Sequence, residues 1–300
     1  MNNEKLGSIY AILAFLFWGG LSPIYFKEVD SVDAFEILMY RIVFSVVTLI
    51  PLLIYKSEIK TLFLTLKDKR KVKYLFASTF FVSLNWYIFI WAIGNGRILE
   101  TSLGYYINPL VNVLLGFIFF QERVTKNQYI AIFIALCAVV YQLFTLGHVP
   151  YISFSLAISF AFYGVLRKKI NVGSQVGLFV EVILLTPFAL IYLIYLFNNG
   201  ELSFIQNSDG YISLMLTLAG LMTVIPLLLF NGAATRIKLI TLGFLQYIGP
   251  TASFLLAVFI YNEEFNLDKL ITFILIWIAL FIFSFDSIIK LQKSFKEKSK

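Results

Sequence analysis

The sequence predicts an all-α membrane protein of ten transmembrane helices, arranged as two inverted-topology five-helix repeats. Three observations carry that prediction. The 300 residues are 60% hydrophobic and 14% charged, with mean hydropathy +0.85, well above the balance of a soluble domain. The basic residues cluster on alternate loops. The second half of the chain also repeats polar landmarks of the first.

A bilayer core about 30 Å thick needs roughly 20 apolar residues per helix. Stretches of that kind occur at 7–26, 34–55, 72–93, 99–120, 127–146, 150–166, 175–197, 211–232, 238–261 and 267–289. The sixth is the shortest, because Arg167 closes its apolar run. With the N-terminus inside, twenty of the 24 Lys and Arg fall in inner segments and only Lys27, Arg97 and Lys269 in outer loops. That asymmetry places both termini in the cytoplasm and makes the net charge of +7 a matter of topology rather than of nucleic-acid binding. The first apolar run is too long for a signal peptide and lacks a small-x-small cleavage pattern, so it reads as a retained span.

The repeat rests on residues that composition alone would not align. Phe17-Trp18-Gly19 precedes Phe162-Tyr163-Gly164 by 145 residues, and Glu36 precedes Glu181 by the same 145. Arg97-Ile98 precedes Arg236-Ile237 by 139; Tyr106-Ile107-Asn108-Pro109 and Glu122 precede Tyr247-Ile248-Gly249-Pro250 and Glu263 by 141. The expected halves are 1–146 and 147–300, the second carrying a short basic cytoplasmic tail. Five spans per half oblige the second to enter the membrane in the opposite sense. The loops agree: the one after the second span is rich in Lys, whereas the one after the seventh has no basic residue. Inverted repeats are the architecture of secondary transporters, with substrate sites near the midplane at the repeat interface.

Polar residues inside the spans are the candidate site. Gly104, Asn108 and Asn112 share one helical face with Gly116 nearby, and Gln246, Gly249, Pro250, Ser253 and Ala257 share another. Lipid cannot satisfy an amide, so these faces turn toward other helices or water. Close packing and interhelical hydrogen bonding explain the glycines well enough. Asn108 beside Pro109 is more evenly balanced, because proline frees a carbonyl. Asn85, Trp86, Trp91 and Asn231 add polar and aromatic groups, with ordinary packing the plainer reading of any single aromatic. Trp18 and Tyr163 occupy one repeat position beside Gly and offer a flat face and a polar tip.

The charges are weighed separately. Arg41 lies about 12 Å along its helix from Asp33, too deep to snorkel easily, so it faces a partner or a cavity. Glu36 lies near the outer interface, where starting a helix is the simpler role. Its repeat mate Glu181 lies about 10 Å in from the inner basic loop and must be neutral, paired or water-exposed. Glu181, with Glu36 as second candidate, is expected to couple transport to protons or to meet a cationic substrate group.

Other chemistries find no support. No GxxxxGK[ST] loop offers a nucleotide motor. The single histidine, His148, reads as a solvated loop residue, and no Cys/His cluster suggests a metal. Cys137 is the only cysteine, so no intrachain disulfide is expected. Nor does a buried nucleophile with a nearby base suggest an enzyme.

The segments NWYIFIWAIGNGRILETSLGYYINPLVNVLLGFIFFQERVTKNQ, SFAFYGVLRKK, GLFVEVILLTPFALIYL and IPLLLFNGAATRIKLITLGFLQYIGPTASFLLAVFIYNEEF closely resemble the RarD group of EamA-type permeases in the drug/metabolite transporter superfamily. The resemblance runs from the first span into the tenth. It implies two inverted five-helix repeats around a cavity lined chiefly by spans one, three, four, six, eight and nine. On that pattern Trp18, Asn85, Tyr106, Asn108, Tyr163, Asn231, Gln246 and Tyr247 lie near the cavity, to which the residues themselves add Arg41, Trp86 and Asn112. The group is associated with sensitivity to, or export of, chloramphenicol. Arg97 stands where the group usually has His, which weakens any proton role there.

The expectation is therefore a bacterial inner-membrane secondary transporter, monomeric and without cofactor, exporting a small amphipathic solute by alternating access. Its partners are the small-molecule substrate, membrane lipid and, as a candidate coupling ion, the proton. A zwitterion or planar neutral solute suits aromatic walls with a few amides better than a polyanion. A passive facilitator, or a membrane scaffold without transport, stands as the alternative.

Overall fold

The computed structural model describes residues 3–298, apart from 96, 147–148, 171, 207–209 and 263–266. His148 and Glu263, singled out in the sequence, lie outside the described residues. Helix α1 (Asn3–Leu16) runs through a π-helical turn (Phe17–Leu21) into α2 (Ser22–Glu28). The π-helical turn spells FWGGL, with Pro23 at the start of α2. Proline lacks the N–H that would close the preceding turn, and paired glycines stiffen it least, so the extra residue is accommodated there. Without a Cβ, Gly19 lies directly against the backbone of Gly249, and Ser253 Oγ donates to the Gly19 carbonyl at 2.9 Å.

Helix α3 (Ala34–Tyr55) begins where Asp33 accepts from the backbone N–H groups of Phe35 and Glu36 at 2.9 and 3.1 Å, an N-cap that satisfies otherwise orphaned donors. Short α4 (Ile59–Lys67) leads to α5 (Lys69–Gly94), α6 (Ile98–Phe120) and α7 (Lys126–Leu146). Gln121, in the left-handed region at φ 50°, terminates α6. The second half comprises α8 (Tyr151–Ile170), α9 (Ser174–Asn198), the single turn α10 (Ser203–Gln206), α11 (Tyr211–Ala234), α12 (Leu239–Gln246), α13 (Ile248–Phe259) and α14 (Leu267–Lys298). Pro109 stays inside a continuous α6. The matching Pro250 coincides with a break at Tyr247 between α12 and α13, because Pro250 cannot donate to Gln246.

Among the described residues, eight helical stretches are long and apolar enough to cross a membrane: Asn3–Glu28, Ala34–Tyr55, Lys69–Ala92, Glu100–Phe120, Lys126–Thr145, Ser174–Asn198, Tyr211–Ala234 and Leu239–Phe259. Two of the ten expected spans fall short of that measure. Helix α8 ends in Arg167-Lys168-Lys169, and the apolar part of α14 covers only Leu270–Phe285. The sequence counts Arg167 with the inner loop, yet α8 continues past it and the side chain is wholly buried.

The main apolar core joins Ala11, Ala14, Phe15, Leu38, Tyr163, Leu178 and Phe230. A second core joins α6, α7, α12 and α14 through residues such as Ile107, Ala135, Phe244 and Phe283. Helix α3 packs on α9 and α11, α6 on α8 and α12, and α5 on α8. Elements that the sequence repeat relates, α3 with α9 and α6 with α12, thus touch directly.

Candidate functional site

Two polar layers cross the bundle. The first joins α5, α8, α9 and α11 around Glu181. Ser78 Oγ donates to Glu181 Oε1 at 2.6 Å, and Tyr163 Oη donates to Oε2 at 3.2 Å. Arg167 Nη1 reaches Oε1 at 3.4 Å, and Asn231 Nδ2 donates to Tyr163 Oη at 2.9 Å. Every member is buried, Arg167 completely. A guanidinium fits there because Gly177 has no side chain: any Cβ on it would occupy the guanidinium's place. Taking two charges out of water is costly, and their attraction with good hydrogen bonds offsets that cost. Glu181 is therefore paired, one of the three states the sequence allows. Arg167 Nε and Nη2, and Asn231 Oδ1, lack partners among the described residues.

The second layer joins α6, α8 and α12. Asn108 Nδ2 donates to the Ala157 carbonyl at 2.6 Å, and Asn112 Nδ2 donates to both Asn108 Oδ1 and Gln246 Oε1 at 3.0 Å. Asn112 Oδ1 is buried without a partner among the described residues. Tyr247 Oη donates to the Tyr106 carbonyl at 3.3 Å, and both rings are buried. Asn85 Nδ2, on α5, donates to the Leu156 carbonyl and Ser159 Oγ at 2.9 and 3.0 Å. Trp18 meets Phe15, Phe160 and Phe230 at 5.9, 5.8 and 5.8 Å, while Tyr163 stacks on Phe230 at 6.0 Å.

Arg41 stands apart from both layers. Its Nε donates to Thr223 Oγ1 on α11 at 2.9 Å. Its guanidinium lies 5.6 Å from the Phe26 ring and 5.3 Å from Trp86, distances at which a cation is drawn to the aromatic face. Tyr25 and Tyr105 lie close enough to interact with its charge. Tyr105 keeps 48% of its surface accessible. Trp86 also lines an apolar cleft of about 300 Å³ among α3, α5 and α9, with Phe35, Met39, Phe80 and Leu185.

Glu36 is remote from the layers. Both carboxylate oxygens accept from Ser203, Oε1 from its N–H at 2.9 Å and Oε2 from its hydroxyl at 2.7 Å, which fastens the start of α10. Arg97 pairs with Glu100 at 3.4 Å and donates to Tyr151 Oη. The structure thus gathers Tyr163, Asn231 and Glu181 in one layer and Asn108, Asn112 and Gln246 in another, flanked by Tyr106, Tyr247 and Asn85. Arg167, Ser78 and Ser159 are the contributors that sequence reasoning passed over. Arg167 alone carried a signal, a charge at the end of an apolar run opposite a conspicuous intramembrane glutamate.

A bundle of long apolar helices with amides, a carboxylate and a guanidinium sealed inside defines a multi-pass membrane protein of the transporter class. The comparisons agree. Residues 5–144 match the EamA-like transporter family. The chain is 46% identical over 289 residues to Protein RarD of Salmonella typhi, covering 96% of this chain and 98% of that one. It is 29% identical to the chloramphenicol-sensitive protein RarD of Pseudomonas aeruginosa, covering 90% and 91%. A crystal structure at 17% identity superposes with a TM-score of 0.71 over 92% of this chain and 96% of that one, which speaks for the fold alone. The chain belongs to the EamA family, as a RarD-type transporter.

Proposed function

We propose that the chain is a bacterial inner-membrane secondary transporter that exports a small amphipathic metabolite or drug by alternating access. In this reading ten spans form two inverted repeats, 1–146 and 147–300, with both termini cytoplasmic. The observation that carries it is the pair of sealed polar layers, with the half-buried guanidinium of Arg41, unpaired among the described residues, standing outside them. Such an arrangement suits a carrier closed on its inner side, with the layers as the barrier that must part for the solute to pass. Contacts between repeat-related α3 and α9, and α6 and α12, support the pseudo-twofold axis. Asn112 Oδ1 and Asn231 Oδ1, buried without partners among the described residues, supply acceptors for a polar solute group. The relative named for chloramphenicol sensitivity makes chloramphenicol one solute to try, beside amino-acid-like zwitterions.

In this reading Glu181 is the coupling group. Taking up a proton would cancel the charge that holds Arg167 and weaken the layer; releasing it would re-form the pair. Glu36, both of whose oxygens are occupied by Ser203, is the weaker candidate. The test is counterflow in proteoliposomes with amino acids, nucleosides and chloramphenicol at two pH values. Saturable counterflow that loses its pH dependence in Glu181→Gln, scored on correctly folded protein, is the expected result. Flux without counterflow and without response to a proton gradient would point to a passive facilitator. Unaltered transport and pH dependence in Glu181→Gln would end the coupling assignment.

A further inference from the structure

We infer that Arg41 anchors a carboxylate of the transported solute, with the aromatic side chains around it holding the solute's apolar body. The inference rests on the transporter reading and narrows it from amphipathic solutes in general to carboxylate-bearing ones.

An arginine inside a membrane span is expensive and is ordinarily paired. Arg167 follows that rule: sealed from solvent, it is bound to Glu181. Arg41 does not. Among the described residues, none of the ion pairs includes it. The one hydrogen bond of its side chain among the described residues runs from Nε to Thr223 Oγ1 at 2.9 Å. Nη1 and Nη2 have no hydrogen-bond partner among the described residues, yet they are not sealed as the unpartnered atoms of Arg167 are. Arg41 is half-buried, so they open onto accessible space.

The groups around it leave that charge unanswered. Tyr25 Oη is committed to the Met215 carbonyl at 3.0 Å. Tyr105, which also interacts with the charge, keeps 48% of its surface accessible. Phe26 and Trp86 offer faces at 5.6 and 5.3 Å. They can orient the planar guanidinium but give no acceptor for its N–H groups. With Nε pinned by Thr223, the Nη edge points in one direction, the geometry that suits a two-oxygen acceptor. A carboxylate on an apolar body fills both requirements, whereas a spherical inorganic anion would use only the charge.

Binding can be read from tryptophan fluorescence of the full chain in nanodiscs, since Trp86 lies within 5.3 Å of the guanidinium. The probes are matched pairs: phenylacetate against phenylacetamide and benzoate against benzamide, with sodium chloride as the third arm. Charge-assisted hydrogen bonds favour the carboxylate of each pair by about 10- to 100-fold in the wild type. Arg41→Gln is expected to abolish that preference. Arg41→Lys should keep part of it, and Thr223→Val, which only unpins Nε, should weaken it less. Because Arg41→Gln disturbs a packed region, size-exclusion profile and melting temperature accompany each variant, and Arg41→Lys with Thr223→Val stand in if it fails to fold.

Equal binding of acid and amide by the wild type overturns the inference. So does a preference that survives Arg41→Gln, one left unchanged in both Arg41→Lys and Thr223→Val, or chloride displacing phenylacetate at equal concentration. Counterflow in parallel vesicles separates the two readings. Carboxylate preference lost in Arg41→Gln without counterflow keeps the subsite and removes the transporter reading; counterflow with no carboxylate preference does the reverse.

Discussion

Replacing Glu181 with alanine removes the only carboxylate in contact with Arg167 among the described residues and leaves a sealed guanidinium without a counter-charge. Tyr163, which donates at 3.2 Å, loses its acceptor as well, whereas Ser78 keeps the Leu75 carbonyl at 2.9 Å. Breaking a buried pair on one side costs about 3–5 kcal/mol, and the orphaned Tyr163 hydroxyl adds about 1–3 kcal/mol before it rotates to a new partner. Against a total stability of about 5–15 kcal/mol, the single variant should lose a third or more of its margin. The double variant Arg167→Met, Glu181→Met removes both charges and replaces them with apolar volume, so it should recover most of that loss. Denaturant unfolding in detergent micelles, run as a double-mutant cycle, measures the coupling directly. A loss below about 1 kcal/mol in Glu181→Ala, or a double variant no better than the single, would show that the pair does not bear on stability and refute this account of the layer.

Three further outcomes follow from the same contacts. Glu122 accepts from the backbone N–H groups of Leu239 and Ile240 at 2.8 and 2.9 Å and pairs with Lys168 at 3.6 Å; Glu122→Ala should lower stability by about 1–2 kcal/mol, measured by the same unfolding assay. Asn112→Leu leaves Gln246 Oε1 and Asn108 Oδ1 without their donor and should cost about 1–3 kcal/mol for each, while adding Gln246→Leu should recover the Gln246 share; counterflow lost in a double variant that still folds would mark the amides as part of the path rather than as helix glue. Reporter fusions after residue 300 and before residue 1 should both report the cytoplasm, as the positive-inside count requires; signals on opposite faces would overturn the inverted arrangement, and two external signals would overturn the orientation.

The membrane class and the helices were legible because hydropathy and length are properties of single segments. The polar groups were legible as a set for a related reason: Asn108, Asn112, Glu181 and Asn231 are rare among apolar neighbours and cannot face lipid. Their pairings were not, since Ser78 and Glu181 lie 103 residues apart and Asn112 and Gln246 lie 134 apart, and only packing brings them together. Arg167 was read with the inner loop because a basic run commonly marks a helix end; the bare backbone at Gly177, which makes room for it, follows from packing that no local pattern announces. Glu36 shows the opposite case. Its repeat match to Glu181 suggested a shared role, yet its surroundings tie it to Ser203, because matched positions inherit a fold and not their neighbours.

The contact between Gly19 and Gly249 has a mechanical meaning. Much of the bundle is held by interdigitated rings, where displacing one helix past another requires rotamers to hop. At these two glycines backbone meets backbone, with Ser253 as a single polar latch on the Gly19 carbonyl. A smooth bearing of that kind resists compression but offers little friction to sliding, so any rocking of the first helix against the α12–α13 break finds its easiest pivot at FWGGL.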